Sequence, residues 1–127
     1  DLRHHQRRQQ SRVPIPEQLS IDLQISLSSE DTEKETARLV DISEEGLCLS
    51  IPQTALLSPQ GYMRPLFCSF SLLEEPIQTQ LDIRHFYFNT TLQKHIVGCR
   101  FVYLSPTGKK VIRHFIQSLQ EATQKRA

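Results

Sequence analysis

From Leu19 to Leu27 the chain alternates strictly: Leu19, Ile21, Leu23, Ile25 and Leu27 share one side, and Ser20, Asp22, Gln24 and Ser26 the other. A period of two over that length specifies a strand with one face buried and one wet. The period returns in Ile77–Phe88, where Ile77, Thr79, Leu81, Ile83 and His85 are expected to face together, and in Leu92–Leu104, where Val97, Cys99 and Phe101 share a face. Three shorter apolar stretches, Thr36–Ser43, Gly46–Pro52 and Leu66–Leu73, complete a set of six strands. Ser28–Glu35, Glu44–Gly46, Glu74–Pro76 and Asn89–Thr91 read as turns, and Pro52–Pro65 as a loop. With no helix between the strands, a small antiparallel barrel or sandwich is expected in preference to a parallel nucleotide-binding sheet.

The pattern changes once, near the end. Ser105 and Pro106 form an N-cap followed by proline at the first helical position, and Val111, Ile112, Phe115, Ile116 and Leu119 recur at three- and four-residue spacing. A helix over about residues 105–125 follows, its apolar stripe either packing on the sheet or receiving a partner. At 127 residues the chain suits one domain, read as a basic arm over residues 1–12 and a barrel with its helix over 13–127. No apolar run reaches membrane-spanning length, so no membrane insertion and a cytoplasmic location are expected. Cys48, Cys68 and Cys99 lack paired spacing and lie among apolar residues, which predicts buried, reduced thiols and no metal site.

Net charge is only +1, yet Arg3, Arg7, Arg8 and Arg12 crowd into the first twelve residues. A basic arm before a near-neutral body suits a small anionic ligand held at one edge, or else is a solvated tail. Val13-Pro14-Ile15-Pro16 disfavours helix and predicts an extended entry. In an extended arm Arg8 and Arg12 face the same side about 13 Å apart. Their planar forks suit a phosphate or the O6/N7 edge of guanine. The second constellation is Asp41-Ile42-Ser43-Glu44-Glu45-Gly46. On period two, Asp41 and Ser43 point to one face, while Gly46 tolerates a positive backbone dihedral. The Asp41 carboxylate suits the two donors on guanine's Watson–Crick edge, and the Ser43 hydroxyl a base or phosphate. Alternatively the stretch is a Ser-type turn finished by glycine.

The pair R-Q-Q-S-R at residues 8–12 and D-I-S-E-E-G at 41–46 resembles the PilZ family, whose pattern is R-x-x-x-R before the first barrel strand and [D/N]-x-S-x-x-G between the second and third. The closing I-V-G-C-R-F-V-Y-L-S-P with its amphipathic helix is similar to that of YcgR-type flagellar-brake proteins. The resemblance implies a six-stranded antiparallel β-barrel with a C-terminal α-helix, and a receptor for cyclic di-GMP without catalytic residues. Arg8 and Arg12 would then bind phosphate and guanine, Asp41 and Ser43 a guanine, and Gly46 would shape the turn. Many relatives have a bulky residue between the two arginines, where this chain has Gln9, Gln10 and Ser11.

Arg7, facing away from Arg8 and Arg12, offers a further guanidinium for a second, intercalated cyclic di-GMP, or is a solvent-exposed charge. PilZ proteins with arginine there are associated with the dimeric ligand. The resemblance further implies an upstream YcgR-type N-terminal domain, in keeping with a chain that opens at Asp1, and flagellar rotor or stator proteins as partners at the basal body. Ligand binding would order the arm and change domain arrangement. The competing readings are a PilZ-like protein-interaction adaptor without nucleotide binding and a small nucleic-acid-binding barrel. The latter wants a basic groove lined with aromatics, whereas Phe67, Phe86, Tyr87 and Phe88 fall within strand patterns.

Overall fold

The computed structural model describes residues 12–26, 34–52 and 65–126; Arg7 and Arg8 of the arm, the Leu27 end of the first alternating run and most of the Pro52–Pro65 loop lie outside them. Among the described residues the strands are β1 (Val13–Pro14), β2 (Asp22–Ser26), β3 (Glu35–Ile42), β4 (Gly46–Pro52), β5 (Leu66–Leu72), β6 (Glu75–Asn89) and β7 (Lys94–Tyr103), followed by a helix, α1 (Pro106–Arg126). They form a single antiparallel sheet in the order β1-β3-β2-β5-β6-β7-β4, which the additional β3–β4 pairing closes. Six strands therefore make the expected barrel, and β1 is a seventh, two-residue addition.

Inward-facing residues of every barrel strand meet in one cluster. Leu23 and Ile25 of β2, Leu47 and Leu49 of β4, Leu66 of β5, Leu81 of β6 and Cys99 of β7 are fully enclosed. The helix completes this core. Ser105 caps it by accepting the Gly108 amide on Oγ at 3.0 Å, and α1 packs against β1, β5 and β6. Ile112 and Phe115 are buried in the cluster, and Val111, Ile116 and Leu119 are half-buried against it. The apolar stripe is thus spent on the barrel.

Three local departures from strict alternation matter. The first alternating run does not start at Leu19: the Leu19 amide donates to the Pro16 carbonyl at 2.9 Å, forming a turn that leaves Leu19 exposed and delays the strand to Asp22. In β3 the register slips between Leu39 and Asp41, so Leu39 pairs with Leu49 but Asp41 with Cys48. In β6 it slips between Ile83 and His85, so His85 leaves the face of Ile77, Thr79, Leu81 and Ile83 and lies exposed over Gly98. Each bulge inserts one residue and reverses the parity of those after it.

The β5–β6 turn is also tighter than expected. Leu72 pairs with Glu75, so Leu73 and Glu74 alone make the loop, and Glu75 and Pro76 already belong to β6. Both loop residues have positive φ, 52° and 66°, as a two-residue primed turn requires. Side chains there oppose their own backbone at about 1–2 kcal/mol per residue in the left-handed region. Replacing the pair with Asn-Gly (Leu73→Asn with Glu74→Gly) is expected to stabilise the barrel by about 1 kcal/mol, read as a rise of several degrees in the thermal midpoint. An unchanged or lower midpoint would show that the turn is not strained.

Candidate ligand-binding site

The strand β1 decides where the arm enters. Val13 pairs with Ile42 and Pro14 with Asp41, and the Ile15 amide donates to the Val40 carbonyl at 2.9 Å. β1 thus runs beside the end of β3 and delivers Arg12 to Asp41, whose Oδ1 accepts from Arg12 Nη1 at 3.0 Å. The bulge after Leu39 makes this possible. Unbroken alternation from buried Leu39 would send Asp41 into the core; the slip turns Asp41 outward and brings Ile42 inward, where it is fully buried.

Ser43 is not displayed beside Asp41. It has left the strand and is buried, and its Oγ accepts the amides of Glu45 at 3.3 Å and Gly46 at 3.2 Å. Its own amide donates to the Gly46 carbonyl at 2.8 Å. The hydroxyl therefore folds the Ser43–Gly46 turn, which holds the Glu45 carbonyl on the Phe101 amide at 2.9 Å. Glu44 points away and pairs with Arg113 of α1 at 3.2 Å.

Gly46 departs from expectation in its reason. No described glycine has positive φ; instead, a Cβ at Gly46 would stand 2.1 Å from the Cys99 carbonyl oxygen and 3.1 Å from the Arg100 Cα. Glycine is required because β4 starts flush against β7, where Gly46 pairs with Arg100. The obstructing atoms are backbone and cannot rotate aside.

Together these elements border an open hollow of about 340 Å³ on the outside of the barrel, lined by Arg12, Ser43, Glu45, Gly46, Arg84 and Arg100. Its size falls at the lower end of small-ligand sites, roughly 300–1,000 Å³. Arg84 and Arg100 were not singled out in the sequence. Their parity on β6 and β7 marks them only as outward-facing, and it takes the barrel's curvature to bring them opposite Arg12. Arg84 is the residue inserted at the β6 bulge and pairs with Asp82 at 3.5 Å.

The nearby thiols are inert. Burial, then the Asp41 carboxylate, pushes the Cys48 thiol up to about 11, and burial together with Cys48 pushes Cys99 to about 12. Cys68 is likewise raised by burial, so all three stay protonated at neutral pH. Among the described residues no cluster of three histidine, cysteine or acidic side chains is placed to hold a metal.

A Gly46→Ala substitution is expected to force β4 from β7 at this end and to cost about 1–3 kcal/mol, as overpacking does. Urea unfolding would read this as a lowered midpoint at an unchanged slope; a wild-type midpoint would contradict the close approach.

The family model for the PilZ domain matches residues 6–118. No curated protein matches in sequence. Among solved structures, YcgR from Escherichia coli in complex with c-di-GMP superposes with a TM-score of 0.70 at 16% identity, over 94% of this chain and 49% of that one. The inhibitor of motility MotI/DgrA from Bacillus subtilis gives 0.68 at 15% identity, over 92% and 51%. The K. pneumonia MrkH–c-di-GMP complex gives 0.72 at 17% identity, over 93% and 54%. The chain spans about half the length of these three proteins. Its closed barrel, its helix and the family match over nearly its whole length place this chain in the PilZ domain family.

Proposed function

We propose that this chain is a non-catalytic receptor for cyclic di-GMP, with Arg8 and Arg12 gripping phosphate and guanine and Asp41 reading a guanine edge. The observation that carries this reading is the contact between Arg12 and Asp41, 29 residues apart and joined at the rim of the hollow. Each belongs to one of the two motifs. Both side chains are partly exposed, 41% and 24%, and ion pairs of that kind contribute about 1 kcal/mol or less. Exchanging the pair for charge-assisted bonds to a ligand therefore costs little and gains about 1.5–3 kcal/mol per bond. Ser43 and Gly46 support the reading through the shape of the turn, with its hydroxyl already committed.

The solved complexes of YcgR and MrkH with c-di-GMP support the ligand. The similarity to MotI/DgrA, an inhibitor of motility, supports a regulatory role in flagellar motility. In this reading the ligand orders the arm and shifts a preceding YcgR-type domain, through which the flagellar rotor or stator would respond at the basal body. Among the described residues no helix is long and apolar enough to cross a membrane.

Calorimetric titration with cyclic di-GMP, with GTP and GMP as controls, tests the assignment. The cyclic dinucleotide should bind well below 100 µM by an order-of-magnitude expectation for several charge-assisted contacts, and the linear nucleotides much more weakly. Arg8→Ala, Arg12→Ala and Asp41→Ala should each weaken binding by roughly tenfold or more without unfolding the barrel. Normal binding by Asp41→Ala would leave the second motif a structural turn.

Arg7 extends the proposal to stoichiometry. A guanidinium facing away from Arg8 and Arg12 can stack on an outer purine and offset phosphate repulsion in an intercalated pair. Two ligands per chain are expected, falling toward one in Arg7→Leu; a wild-type value of one would overturn the dimer while leaving the receptor reading intact.

A further inference from the structure

We infer that Arg100, with Arg84 beside it, forms a second anion-binding wall of the hollow and takes a phosphate of the bound nucleotide on the side opposite Arg12. The inference rests on the receptor reading and goes beyond its motif residues. Arg100 stands on β7 directly across from Gly46, and from Asp82 on β6. Glu45 and Gly46 of the motif turn line the same hollow as Arg100. Arg12 leads into β1, and β3 and β4 lie between β1 and β7, so Arg12 and Arg100 approach from two sides, about 14 Å apart at the backbone for three strand spacings.

Charge pairing separates the three arginines. Arg12 is held by Asp41 and Arg84 by Asp82, whereas among the described residues Arg100 makes no ion pair. Glu45 is the one carboxylate on the lining, and it is in no ion pair with Arg100. An exposed guanidinium aimed into a concave surface, with its fork uncommitted, is suited to bidentate phosphate binding. The bulge on β6 strengthens the placement, since the inserted Arg84 is aimed at the same hollow. A cyclic dinucleotide carries two phosphates. Arg12 and the arm provide for one, and Arg100 provides for the other.

The test is calorimetry of the full chain with cyclic di-GMP at several salt concentrations. Arg100→Ala should weaken binding tenfold or more and flatten the salt dependence, Arg84→Ala should weaken it severalfold, and Arg100→Lys should recover part of the loss. Arg38→Ala, which removes an equal charge paired with Asp22 away from the hollow, should leave affinity unchanged. Thermal unfolding verifies that each variant is folded, with the glutamine substitution at the same position in place of any alanine variant that is not. Affinity within twofold of wild type in Arg100→Ala, alongside a clear loss in Arg12→Ala, would overturn the second wall alone. No binding by the wild-type chain would overturn the receptor reading and this inference with it.

Discussion

Closure of the sheet by the pairing of β3 with β4 is the constraint on which the rest depends. It joins the two ends of a six-strand ring and encloses one continuous core. Closure also forces the short connection Ser43–Gly46 into a compact turn, because β4 must begin immediately against β7. The buried Ser43 hydroxyl and the missing Cβ of Gly46 answer that demand. The motif turn is therefore first a device for closing a barrel. The proposed ligand site is the hollow this turn leaves beside it, with Ser43, Glu45 and Gly46 on its lining together with Arg12, Arg84 and Arg100.

A single inserted residue lets β3 serve both the core and the site. Leu39 and Ile42 are three apart yet both face inward, and the bulge between Leu39 and Asp41 absorbs the odd residue and presents the carboxylate outside. β1 then fixes the arm's last residues against the same stretch, so that the position of Arg12 is set by backbone hydrogen bonds and its guanidinium only by a weak surface pair. In the proposed receptor this makes Arg12 a rigid anchor with an exchangeable tip. The second bulge repeats the device on β6, projecting Arg84 toward the hollow.

The helix bears on how a signal could leave the domain. Ile112 and Phe115 lie in the barrel core, so α1 is packed as part of the barrel. Its exposed side reaches the motif turn through Arg113 and Glu44. That contact is a surface pair of small energetic weight, and it makes the helix a neighbour of the motif turn.

Much of this was legible in the residues themselves. Period-two runs gave the strands, the Ser105-Pro106 cap gave the start of the helix, and the two motifs pointed to Arg12 and Asp41, because these signals depend on a residue and its near neighbours. The bulges were only half visible. The three-residue spacing of Leu39 and Ile42 hints at one, whereas the continued alternation through Ile83 and His85 concealed the other. The reason for Gly46, the commitment of the Ser43 hydroxyl and the convergence of Arg84 and Arg100 with Arg12 were not readable at all. They arise from strand curvature and from contacts between segments tens of residues apart, and the sequence alone does not encode those distances until the sheet closes.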